Sequence, residues 1–141
     1  MPRIVFYVLA SGDSASLKVF ACRFVEKSYR AGHTVYIRTG DESEARKMDD
    51  LLWSFRAGSF IPHALAGNLA HEDEPVLIGY RDERQAPADV LLNLSAQVPS
   101  LEGCGCVVEL VDQNEELKKI SREHYRFYKN QGYTVETHQI E

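Results

Sequence analysis

Short β-branched and aromatic runs alternate with amphipathic helical stretches along most of this chain, and that alternation leaves few folds open. Ile4-Val5-Phe6-Tyr7-Val8-Leu9 has the composition of a buried strand. Ala10-Ser11-Gly12-Asp13 breaks it, and Ser14 or Ser16 can cap a helix running to about Ala31. Leu17, Phe20, Ala21, Phe24, Val25 and Tyr29 recur in it at helical spacing, and Gly32 supplies the stop. Thr34 to Arg38 then alternates as a second strand. Thr39-Gly40-Asp41-Glu42 fits a capping box for a helix to about Phe55, with Ala45, Met48, Leu51, Leu52 and Phe55 on its inner face. Two strands joined by a helix of this length predict a parallel pair with a right-handed crossover.

The pattern continues after an irregular stretch from Gly58 to Glu74. Pro75 to Tyr80 and Asp89 to Leu94 read as strands, separated by a polar surface loop from Arg81 to Ala88. A short helical turn is expected around Pro99 to Gly103, then a strand from Cys106 to Val111. A long helix follows over about Gln113 to Gln131, Gly132 ends it, and Tyr133 to Gln139 closes the chain as a strand. The expected fold is α/β: one domain over residues 1–141, a mostly parallel central sheet flanked by helices, Rossmann-like in topology.

A nucleotide-dependent enzyme is the first alternative such a sheet suggests. The turn after the first strand, Ala10-Ser11-Gly12-Asp13-Ser14, has one glycine and no Gly-x-Gly-x-x-Gly, and the chain has no Gly-Lys-Ser/Thr phosphate loop. A nucleophile elbow of the Gly-x-Ser-x-Gly type is absent too. His33, His63, His71, His124 and His138 are scattered. Cys104-Gly105-Cys106 lacks a second pair at zinc spacing, so Cys22, Cys104 and Cys106 read as core or loop residues. His71-Glu72-Asp73-Glu74 reads as a solvated loop. No catalytic residue, metal or cofactor is therefore expected. The net charge of -5 argues against a general nucleic-acid binder. No apolar run approaches the roughly 20 residues of a membrane helix, which predicts a cytoplasmic protein.

The closing helix departs from this acidic background. Lys118 to Lys129 holds five basic residues and one acidic residue, Glu123, a local charge of +4. At about 100° per residue, Lys118, Arg122, Tyr125, Arg126 and Lys129 share an arc of about 100°. Leu117, Ile120, His124, Phe127 and Tyr128 gather on the other side as a core-facing stripe. Arginine forks match carboxylates, and a tyrosine ring offers a surface for an apolar side chain. The stripe suits a short acidic peptide, including a chain-terminal carboxylate, better than long duplex DNA. The plainer reading is a solvated face whose cations favour the helix C-terminus, although that dipole effect operates only in the last turn.

Several segments together resemble a known family. They are Phe6-Tyr7-Val8-Leu9, Ala21-Cys22-Arg23 with Glu26-Lys27 and Gly32-His33, Leu51-Leu52-Trp53-Ser54-Phe55, and Ser59-Phe60-Ile61-Pro62-His63-Ala64-Leu65-Ala66-Gly67. Pro75 to Ile78, Asp89 to Leu94, Arg122-Glu123-His124-Tyr125-Arg126-Phe127-Tyr128-Lys129 and Gly132-Tyr133 complete the match. In this order, over nearly the whole length, they are similar to the chi subunit of bacterial DNA polymerase III. The resemblance implies a non-enzymatic accessory subunit of the clamp-loader assembly. It also implies two partners, the acidic C-terminal tail of single-stranded DNA-binding protein and a second small subunit, psi, with no specific DNA contact. The tail site would comprise Val111, Lys118, Arg122, Tyr125, Arg126 and Lys129. Arg122 would be the main carboxylate partner, Lys118 and Arg126 would steer acidic residues, and Val111 would line an apolar pocket. The psi site would comprise Trp53, Phe60, Pro62 and His63. The two rings fit either an exposed aromatic pocket or ordinary core, and His63 reads as a packing residue.

Overall fold

Hydrophobic strands flanked by helices on both faces should pair in parallel and bury almost completely. Every pairing here is parallel, and among the described residues the edge strand Val135–Ile140 is the one strand with no buried residue. The computed structural model describes residues 1–55, 58, 60–67, 73–81 and 87–140. In chain order the elements are β1 (Arg3–Leu9), α1 (Ser14–Arg30), β2 (Val35–Arg38), α2 (Glu42–Ser54), β3 (His63–Leu65), β4 (Val76–Gly79), β5 (Ala88–Asn93), β6 (Cys104–Val111), α3 (Glu115–Asn130) and β7 (Val135–Ile140). They form one seven-stranded sheet in the order β3-β4-β2-β5-β6-β1-β7. Each strand pairing is parallel.

Alternation along the strands divides the interior in two. Val5, Val35, Ile37, Ile78, Leu92, Val108 and Leu110 point to the side covered by α1 and α2, where they meet Val25, Met48 and Leu52. Ile4, Phe6, Tyr36, Leu91 and Val107 point to the other side, where Tyr128 of α3 completes the cluster. The cysteines are absorbed into this packing: Cys22 is fully buried, and Cys106 and Cys104 pack against opposite clusters. Burial pushes the Cys22 thiol up to about 12, so it stays protonated.

Several boundaries differ from the sequence expectation for identifiable reasons. Asp13, not Ser14 or Ser16, caps α1 by accepting from the Ala15 amide at 3.0 Å. The cap of α2 is Asp41, accepting from Glu44 N at 2.8 Å. The expected box begins at Thr39, but that hydroxyl instead donates to the Gly79 carbonyl at 2.9 Å. Gly32 and Gly132 follow the C-caps of α1 and α3 with φ of 89° and 87°, the left-handed geometry that glycine adopts at low cost. His63–Leu65, expected to be irregular, pairs with β4 as an edge strand. The expected helical turn at 99–103 is only a turn at Glu102 and Gly103. Ser59, the residues 68–72 that include His71 and Glu72 of the acidic run, and residues 82–86 of the polar loop lie outside the described residues.

Gly79 is required by a close approach: a Cβ there would overlap the Tyr36 hydroxyl and lie 3.1 Å from the Ala66 Cβ. That hydroxyl is held in place by donating to the Arg81 carbonyl at 2.7 Å. Gly79→Ala is expected to cost about 1–3 kcal/mol by overpacking. Gly40→Ala, where a Cβ meets nothing within 4 Å, should be nearly neutral. Urea denaturation of the two variants tests this, and equal stabilities would contradict the packing described.

Candidate functional site: a basic helix on a buried carboxylate

The basic stripe sits on α3, capped at its start by Asn114, whose side chain accepts from the Leu117 amide at 3.1 Å. Ser121, His124 and Tyr128 are the buried residues of this helix. That centres the inner face about 90° from Lys118 on the helical wheel and places Arg126 almost diametrically opposite the core. Arg122, Arg126 and Lys129 are exposed, and among the described residues none has an ion-pair partner. Lys118 is half-buried and lies 3.5 Å from the Glu115 carboxylate one turn earlier. That pair is exposed on the Glu115 side and therefore weak. The five stripe residues are thus brought together as expected, and among the described residues Lys118 is the one with an ion pair.

Tyr125 lies between stripe and core. Its ring is 39% exposed yet packs edge-on against Phe6 of β1, with centroids 5.7 Å apart. Val111 is the last residue of β6, on the same sheet face as Glu109 and opposite Val8 of β1. It is only 7% exposed. It can therefore floor a shallow notch but not wall a deep pocket. Phe127, expected in the core-facing stripe, is instead 42% exposed. On the wheel it falls about 90° from the centre of the buried face, beyond the reach of the sheet.

The core-facing His124 and Tyr128 are held by two residues that the sequence did not single out, Glu109 and Asn93. Glu109, 3% exposed, projects from β6 under α3. One of its oxygens lies 3.1 Å from His124 Nδ1; the other accepts from the Tyr128 hydroxyl at 2.7 Å and from Asn93 Nδ2 at 2.9 Å. The second His124 nitrogen faces the Ala96 carbonyl at 3.0 Å. Both imidazole nitrogens face acceptors, so satisfying them takes two N–H groups, the cationic form. Burial disfavours that charge, but the Glu109 contact and the Ala96 carbonyl outweigh it, and the His124 pKa is raised. Desolvation beside the same carboxylate raises the Tyr128 hydroxyl well above its ordinary value, keeping it a donor. A charge inside the run Val107-Val108-Glu109-Leu110-Val111, with a histidine on the inner side of the next helix, was the available signal.

The second predicted set lies elsewhere. Trp53 at the end of α2 is 55% exposed and Phe60 is 64% exposed, with ring centroids 5.8 Å apart. The exposed-aromatic alternative is the one the fold adopts. His63 is buried on β3 beneath Trp53, centroids 4.5 Å apart. Its Nδ1 lies 2.6 Å from the Ile61 carbonyl and its Nε2 lies 3.2 Å from an Asp49 carboxylate oxygen. It therefore fixes the loop and the indole and does not present itself to solvent. Pro62 is half-buried between them in sequence. This aromatic patch belongs to the β3 edge of the sheet, whereas α3 packs on β6 and β7 at the other end. At about 4.8 Å per strand the two edges are about 29 Å apart.

The helix starts also bear on the nucleotide-enzyme alternative. Each of the three carries its own oxygen cap, Asp13, Asp41 or Asn114. Glu42 and Glu44 add negative charge to the first turn of α2, and Glu115 and Glu116 to that of α3. At each start the chain's own side chain thus takes one of the amides that a phosphate would meet.

A family model described as DNA polymerase III chi subunit, HolC, matches residues 1–136. The chain belongs to the DNA polymerase III chi subunit family. This family consists of accessory subunits of a replicative DNA polymerase. A DNA polymerase III subunit chi from Pseudomonas aeruginosa is 36% identical over 141 residues, covering 99% of this chain and 98% of the relative. Those of Escherichia coli and Haemophilus influenzae are 29% and 26% identical, each over at least 95% of both chains. No helix among the described residues is long and apolar enough to cross a membrane.

The Glu109–His124 contact sets a pH dependence. Because the folded pKa of His124 lies above its ordinary 6.5, its contribution is complete below that value and is lost as pH rises through the folded pKa. Unfolding free energy is expected to decline over that interval, and His124→Ala should remove this component of the decline. Taking away one partner of such a buried pair should cost about 3–5 kcal/mol. Chemical denaturation at a series of pH values checks both, and an identical pH profile in the variant would refute the assignment.

Proposed function

We propose that this chain is a non-catalytic cytoplasmic adaptor in DNA replication, holding two protein partners at once. On this reading the basic stripe of α3 captures the acidic C-terminal tail of single-stranded DNA-binding protein. The patch of Trp53 and Phe60 docks the psi subunit, which links the chain to the clamp loader. The observation that carries the reading is the stripe itself. Arg122, Arg126 and Lys129 extend into solvent without ion pairs among the described residues, in a protein whose net charge is -5. Cations left uncompensated by so many available carboxylates suit an acidic ligand.

The parts divide the work by their chemistry. Arg122 offers a planar fork to the terminal carboxylate, Lys118, Arg126 and Lys129 attract the acidic residues before it, and Tyr125 packs against an apolar side chain of the tail. Val111 floors the notch beside it. At the opposite edge, Trp53 and Phe60 expose a contiguous aromatic surface, the type of anchor that dominates protein interfaces. Pro62 and His63 support it from below. The separation of the edges lets both partners bind without collision.

Calorimetry with a tail peptide tests the first surface. Arg122→Ala is expected to cost about 2 kcal/mol or more, roughly a thirtyfold loss of affinity. Added salt should weaken binding to the parent chain, and Trp53→Ala should leave it unchanged. Undiminished binding by Arg122→Ala would rule out this site.

The aromatic surface is tested separately by co-purification with psi. Trp53→Ala and Phe60→Ala are each expected to abolish recovery of psi while retaining tail binding. Full recovery of psi with both variants would place that contact elsewhere.

A further inference from the structure

A cavity of about 120 Å³ lies where the carboxyl ends of β2, β5 and β6 meet all three helices. Neither the basic stripe nor the aromatic patch uses it. Its apolar wall comes from Leu17 and Ala21 of α1, Met48 and Leu51 of α2, and Leu117 and Ile120 of α3. In open parallel sheets this is the edge at which ligands bind.

The polar groups on the wall differ in one respect. Asn93 and Ser95 bond to each other, Asn93 also bonds Glu109, and the Thr39 hydroxyl bonds the Gly79 carbonyl. Ser121 is different: only 7% exposed, it lines the cavity, and its hydroxyl has no hydrogen-bond partner among the described residues. Lys18, also on the wall, is exposed at the rim, so a water inside would meet few free groups where it needs two to four. A cavity of comparable size, about 150 Å³ and lined by apolar side chains, stays dry and takes up benzene.

Charge narrows the ligand class further. The buried Glu109 carboxylate on the wall disfavours a second anion in the interior, and its own charge is already matched by His124. Lys47 at the rim pairs with Glu44 at 3.5 Å. We propose that this cavity is a binding site for a small neutral molecule with a compact apolar body and one hydrogen-bonding group, which Ser121 engages. The ring or branched aliphatic body fills the space between the helices, and its hydroxyl or amide meets the Ser121 hydroxyl.

The probes are phenol, benzene and benzoate, titrated into the isotopically labelled full chain and followed by amide NMR shifts around Leu117 and Ser121. Phenol is expected to bind about threefold to tenfold more tightly than benzene, the range of one neutral hydrogen bond. Ser121→Ala should remove that preference while leaving benzene binding intact. Leu117→Phe, which fills the space from a half-buried position, should abolish binding of both, and Ser121→Leu gives the same test if that variant does not fold. Benzoate should bind more weakly than phenol. No shifts at these amides, tighter binding of benzoate, or phenol binding undiminished in the filled variant would each overturn the proposal.

Discussion

A carboxylate buried in a parallel sheet is unfavourable unless its oxygens are met by donors, and around Glu109 three donors reach both oxygens from two directions. Asn93 reaches it from β5 within the sheet, while His124 and Tyr128 reach it from α3. The same group therefore joins the sheet to the helix that packs over it. Apolar packing on this face is thin, since Tyr128 is the one fully buried large side chain that α3 contributes. With so little hydrocarbon under the helix, the polar cluster specifies its rotation about its own axis. That rotation decides which side chains face water. A turn of one residue would carry Arg122 toward the sheet and bring His124 away from its carboxylate.

Fixing the helix in this way permits an outer face that does not participate in folding. Arg122, Arg126 and Lys129 contribute little to the fold, so their chemistry is available for a partner. Tyr125 has both roles: one edge of its ring rests on Phe6 and the rest remains open. The aromatic patch follows the same logic by different means. There the buried His63 ring lies under Trp53 and is itself tethered to Ile61 and Asp49. In each case a buried histidine with two acceptors fixes an element whose exposed side is left free.

The strand–helix alternation was legible in the sequence because buried parallel strands are nearly continuous apolar runs and their helices carry a clear 3.6-residue period. The exceptions have physical causes. The strand of His63, Ala64 and Leu65 is three residues long and pairs on one side only, so neither length nor alternation marks it. At both displaced caps an aspartate was present one or two residues from the expected start, and the better acceptor took the position. The stripe on α3 was legible because it depends on periodicity and charge alone. Phe127 was misplaced because the wheel groups residues by angle, whereas the sheet beneath α3 covers only a narrow arc. The Glu109 cluster joins residues from β5, β6 and α3, and no local pattern brings them together.

The distribution of charge explains why a stripe on this helix can be selective in an acidic protein. A uniformly basic surface would bind any polyanion, nucleic acid included, through counterion release. Here five of the sixteen lysines and arginines are concentrated in Lys118 to Lys129 of one helix, and the remainder of the chain carries excess negative charge. Long duplexes extend well beyond the stripe and meet that repulsion, whereas a short acidic segment ends within it. In the proposed function the stripe would therefore discriminate by ligand length as well as by sign. On the proposed function a terminal carboxylate would gain most, because its charge lies at the end of the segment and would reach Arg122 with no further chain to place against acidic ground.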